Sequence, residues 1–126
     1  DLQVLHNLTK NALESQQERQ LAGSEPLKPI VISTKALKLA DGRNGLRLRV
    51  RDHGAGFTET MLARIFEPYV TTKRTGSGLG LAIVRKIVEE HGAQVEVSNW
   101  SSDVSGLGGA QVSVVFPMVA NPGVAS

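Results

Sequence analysis

The chain contains no cysteine. Disulfides and thiolate metal sites are therefore excluded, and cysteine usage says nothing about redox compartment. Aromatic residues are scarce, with three Phe, one Tyr and one Trp, so little surface exists for stacking nucleic-acid bases. The net charge is only +2; it suits an anionic ligand without marking a nucleic-acid binder. No apolar run approaches the roughly 18 residues of a membrane span, and no secretory signal opens the chain. No internal repeat is present. What remains is 126 residues, 40% hydrophobic and 21% charged, a composition that fits one globular domain with a single core.

Periodicity divides the chain into elements. Residues 2–19 read as a helix, with Val4, Leu5, Leu8 and Ala12 on one broad apolar face and Asn7, Lys10, Asn11 and Glu14 beside it. A Gly/Pro-rich loop, "AGSEPLKP", leads to the strand "IVISTKALKLA", whose alternation shifts phase near Thr34 and suggests a bulge. "DGRNG" marks a hairpin turn. In "LRLRVRD" the period of two sets Leu46, Leu48, Val50 and Asp52 on one face, opposite Arg47, Arg49 and Arg51. A short helix is expected over residues 58–65. Another starts around Gly80, carries Ile83, Val84, Ile87, Val88 and His91 on one side, and stops at Gly92. Two alternating strands, "QVEVSNW" and "AQVSVVFP", follow, and residues 120–126 read as a disordered tail. This order predicts an α+β fold, a two-layer sandwich with helices on one face of a mostly antiparallel sheet.

Three features carry chemistry. Asp52 points the same way as the core residues, and an inward carboxylate needs donors to offset its burial; a turn aspartate capping the next helix is the plainer reading. "TGSGLGLAIV" runs a glycine-rich loop into a helix N-terminus, an anion site in type, with Lys73 and Arg74 just upstream; a flexible hinge is the alternative. Asn7 and Asn11, one turn apart, offer hard neutral amide oxygens of the kind Mg²⁺ accepts. Alone, such a pair is ordinary on a helix surface.

Taken together and in order, "NLTKN", "DHGAG", "FEPY" and "GSGLGLAIV" resemble the N, G1, F and G2 boxes of the ATP-binding catalytic domain of bacterial two-component sensor histidine kinases. "FEPYVTTK" and "IVEEHG" are most similar to the nitrogen-regulation NtrY type. The resemblance implies the Bergerat ATP-binding fold over residues 1–119, with a mixed sheet, about three helices on one face, and the first edge strand missing from the chain. It implies ATP and Mg²⁺ as ligands. Asn11 would hold the metal and Asn7 support the triphosphate; no residue of the chain is assigned as catalytic with certainty. Asp52 would accept from the adenine amine, with Gly54 and Gly56 close to the base. A mobile lid would begin over residues 66–73, and Lys73, Arg74, Gly76, Ser77, Gly78, Leu79 and Gly80 would cover the phosphates.

The implied partners are a dimerisation domain bearing the phosphoacceptor histidine, then a response regulator; the resemblance implies a cytoplasmic domain of a membrane-anchored sensor, itself without direct membrane or nucleic-acid contact. Glu14 stands where many relatives carry lysine; Lys10, Lys73 or Arg74 would compensate. His6 reads as surface, His53 as a variable G1 position, His91 as helix-end packing and Trp100 as a core or strand-end residue. Hydrolysing members of the fold, such as gyrase, MutL and Hsp90, carry glutamate where this chain has Asn7, which cannot act as a general base. A GHKL-type ATPase or a non-catalytic nucleotide-binding interaction domain are the competing readings.

Overall fold

Helix α1, Leu2–Ala22, extends one turn further than its apolar pattern predicts. Val4, Leu8 and Ala12, four residues apart, are buried, and Gln16 continues the same stripe at 4% exposure. The computed structural model describes residues 2–22, 28–67, 80–102 and 106–118; the tail over 120–126 lies outside them.

Strands β1, Val31–Lys38, and β2, Asn44–Arg51, form the expected hairpin. Gly42 takes φ +87° at the turn, a conformation that favours glycine. The Leu39 amide donates to the Arg43 carbonyl at 2.8 Å, and the Asp41 carboxylate accepts from the Arg43 amide and Nε at 3.0 and 2.7 Å. Pairing runs unbroken from Val31 opposite Arg51 to Lys38 opposite Asn44. The bulge expected near Thr34 does not form. β1 is an edge strand exposed along almost its whole length, so neither of its faces imposes an apolar period, and the phase shift reflects that.

β3, Gln94–Ser101, and β4, Gly108–Pro117, complete a sheet of order β1-β2-β4-β3. Every pairing among the described strands is antiparallel. Two helices cover one face. Val4, Leu8 and Ala12 of α1 meet Val84 and Val88 of α3, Gly80–Glu90, over Val50 of β2 and Val112 and Val114 of β4. α3 ends in a Schellman motif: the Ala93 amide donates to the Val88 carbonyl at 2.8 Å, and Gly92, at φ +69°, donates to Glu89 at 3.1 Å. His91 is exposed, and its Nδ1 lies 2.8 Å from the Ile87 carbonyl. It ties the last helical turn rather than packing in the core. α2, Glu59–Ala63, is shorter than the expected 58–65 because Thr58 is its N-cap, accepting from the Met61 amide at 3.1 Å; it buries no residue.

Candidate nucleotide-binding site

Asp52 follows the last residue of β2 and keeps the inward phase of Val50. It is 5% exposed. Its amide donates to the Ala110 carbonyl at 3.0 Å, extending the β2–β4 ladder by one step. Its Oδ1 accepts from the Gly54 amide at 2.9 Å and the Ala110 amide at 3.0 Å. Two backbone donors therefore fix the carboxylate and offset part of its desolvation. The plainer reading, an aspartate capping the next helix, does not hold, because Thr58 does that work. This approach requires Gly109, where a Cβ would overlap the Asp52 carbonyl. Trp100 Nε1 donates to that same carbonyl at 2.8 Å.

The chain after Asp52 is held at two further points. From α1, Gln16 Oε1 accepts the His53 amide at 2.7 Å while its Nε2 donates to the Lys28 carbonyl at 2.6 Å. From β3, Asn99 makes a reciprocal pair with Phe57, accepting from its amide and donating to its carbonyl, both at 2.8 Å. Gly56 has φ +76°, and a Cβ there would stand 2.7 Å from Asn99 Oδ1. The freedom of this glycine thus serves the contact with β3. His53 meets the Trp100 ring edge-to-face at 5.2 Å between centroids.

α1 also reaches the far end of the site. A Cβ added at Gly80 would stand 2.9 Å from Asn11 Oδ1 and 3.0 Å from its Nδ2. The second N-box asparagine therefore sits against the first residue of α3, where helix amides carry partial positive charge. The Nδ2 of Asn7, one turn away, is buried and has no hydrogen-bond partner among the described residues. A buried amide donor in that state is costly and fits an anionic acceptor supplied by a ligand. Lys10 lies 3.9 Å from Glu14, so this candidate for the compensating cation is drawn towards that carboxylate. Phe66, of the F box, packs under the Arg85 guanidinium at 5.1 Å. Lys73, Arg74, Gly76, Ser77, Gly78 and Leu79, with most of the expected lid, lie outside the described residues.

Of the residues singled out in the sequence, Asp52, Asn7, Asn11, Gly54, Gly56 and Gly80 lie among the described residues; Gln16, Asn99 and Gly109, which brace Asp52 and the chain after it, were not singled out. The signal for Asn99 was weak: it follows Val95 and Val97 in the alternation of β3, yet it is itself exposed. No cluster of three or more His, Asp or Glu residues suited to a metal occurs among the described residues. A metal here fits an amide oxygen and ligand phosphates better than a protein cage.

A buried, doubly anchored carboxylate at one end and a buried amide beside a helix start at the other define a nucleotide-binding domain of α+β type. Residues 2–120 match the family described as histidine kinase-, DNA gyrase B- and HSP90-like ATPase, and the chain belongs to that family. It is 41% identical over 96 residues to the sensor protein TdiS of Thauera aromatica, covering 76% of this chain and 16% of that protein. It is 38% identical over 99 residues to the nitrogen regulation protein NtrY of Azorhizobium caulinodans, covering 77% and 12%. Full-length ShkA, solved in complex with AMPPNP, matches 95% of this chain and 22% of its own at 29% identity and TM-score 0.59. The chain thus spans a small part of the relatives' length, and it corresponds to the ATP-binding catalytic domain of sensor histidine kinases.

Proposed function

We propose that this domain binds Mg-ATP and presents its γ-phosphate to a histidine on a separate dimerisation domain, in a two-component sensor that signals to a response regulator. The observation that carries the reading is the double engagement of α1. Asn11 packs against Gly80 at the start of α3, and Gln16 of the same helix holds the backbone next to Asp52. The base end and the phosphate end of the site are built on one rigid element.

In this reading Asp52 accepts from the adenine amine, its Oδ1 already oriented by Gly54 and Ala110. Asn7 donates its buried Nδ2 to a phosphate oxygen, and Asn11 supplies an amide oxygen to the metal. A bound Mg²⁺ would neutralise charge on the triphosphate. Lys73, Arg74 and the glycines from Gly76 to Gly80 close over the phosphates and exclude water. Phosphoryl transfer needs mainly positioning and charge neutralisation, and both fall within the means of these residues. The nucleophile comes from another domain.

Asn7 separates this reading from an ATPase, since an amide cannot take a proton from water. The isolated chain should therefore bind Mg-ATP yet turn it over well below the roughly 1 s⁻¹ at the low end of common enzymes. Phosphate should appear on histidine only when a histidine-bearing dimerisation domain is added. Brisk hydrolysis by the isolated chain, dependent on Asn7 and Asn11, would overturn the kinase reading in favour of the ATPase.

A further inference from the structure

β2 turns one side to the core and the other away from the helices. On the outer side stand Arg47, Arg49 and Arg51, about 6.8 Å apart along the strand. The register sets Lys35 of β1 directly opposite Arg47, a like-charge pair that destabilises a sheet. Across β4, Arg49 Nε donates to Ser113 Oγ at 3.1 Å and Arg51 Nε to Gln111 Oε1 at 2.7 Å. Arg47 Nε is buried and has no hydrogen-bond partner among the described residues. None of the three arginines forms an ion pair among the described residues. Glu96, opposite Ser113 on β3, acts on Arg49 only from a distance. Burial, then Arg47 and Arg51, hold the Arg49 guanidinium below its ordinary range.

The fold thus maintains a row of cations against their mutual repulsion, on the face turned away from the helices; of the three, Arg51 borders the nucleotide site, through Trp100. Each guanidinium offers several N–H donors in a fork suited to carboxylates, and the neutral Ser and Gln neighbours engage only the Nε atoms of Arg49 and Arg51. We propose that this outer sheet face docks an acidic polypeptide segment in extended form. Carboxylates two residues apart on a strand repeat at the same spacing as Arg47, Arg49 and Arg51, so the match is geometric as well as electrostatic. A nucleic acid fits less well. Among the described residues the one aromatic ring on this face, Trp100, already carries Arg51 at 5.1 Å and meets His53, leaving none of them for base stacking. An anionic membrane would bring its headgroups against Glu96, with no cluster of aromatic side chains among the described residues of this face to enter it.

The test is fluorescence anisotropy with a labelled peptide of alternating Glu and Thr, alongside oligothymidylate and phosphatidylglycerol vesicles, at low and physiological ionic strength. The peptide should bind, weaken with salt, and lose at least about tenfold in affinity to the double variant Arg47→Gln/Arg49→Gln. ADP affinity of that variant should stay unchanged. Lys35→Gln, at an exposed edge position, perturbs packing least and should weaken the peptide severalfold, which keeps the proposal testable if the double variant folds poorly. Absence of peptide binding by the wild type, equal peptide binding by the folded variants, or tighter binding of the oligonucleotide or the vesicles would overturn the proposal.

Discussion

Replacing Asp52 by asparagine tests the adenine assignment more cleanly than alanine does. Asp52 Oδ1 accepts two buried backbone amides. Alanine would strand both donors, at about 1–3 kcal/mol each, and confuse lost folding with lost binding. Asparagine can keep its amide oxygen on Gly54 and Ala110, and those two donors dictate which way the amide turns. Its NH₂ then occupies the position of Oδ2 and faces the adenine amine donor to donor. Removing a charge-assisted hydrogen bond costs about 1.5–3 kcal/mol, which is roughly ten- to hundredfold in Kd. Isothermal calorimetry should show that loss for ADP, with a melting temperature close to wild type. GDP, whose carbonyl at the same ring position accepts from the new NH₂, should lose less or gain, so the ADP-to-GDP preference should fall. A folded Asp52→Asn protein with wild-type ADP affinity, or an unchanged preference, would refute the assignment.

Three further substitutions probe the supports. Asn99→Ala removes both bonds to Phe57; at about 1 kcal/mol each, reduced by their exposure, ADP binding should weaken about fivefold. Affinity within twofold of wild type would mean that Gln16 and Asp52 hold the loop without β3. Asn11→Ala should weaken ATP binding strongly in Mg²⁺ and much less in EDTA, and equal losses in the two buffers would remove Asn11 from the metal. Gly109→Ala sets a Cβ into the Asp52 carbonyl. Because the obstacle is backbone, overpacking should cost about 1–3 kcal/mol, a fall of several degrees or more in the thermal melt. A wild-type melting temperature would show that β4 can draw back.

How much was legible in the sequence depended on which residues obey a period. Asp52 stood out because β2 is covered by helices on one face only, so its alternation is clean up to the last residue. β1 gave no such guide, since an edge strand exposed on both faces has no core side to encode. The resemblance supplied the N and G2 boxes, and the structure sets one beside the other through Asn11 and Gly80. Gln16 escaped notice for a physical reason. A glutamine four residues after Ala12 looks like the polar end of a helix, and only the fold discloses that a backbone amide and a carbonyl wait for both ends of its side chain. Gly109 falls just outside the expected strand "AQVSVVFP" because glycine usually breaks strands; β4 nonetheless includes it, where its missing side chain lets two backbones touch.

Trp100 is the sole tryptophan of the chain, and its surroundings make it an optical gauge of the Asp52 end of the site, where the base is proposed to bind. Its indole N–H is bonded to the Asp52 carbonyl, a guanidinium lies over its ring, and an imidazole abuts it. Emission from an indole is sensitive to each of these neighbours. A ligand that pulls on Asp52 would shift the colour and yield of a single fluorophore, with no label attached and no second tryptophan to dilute the signal. The protein brings its own dye to the place where the base would settle.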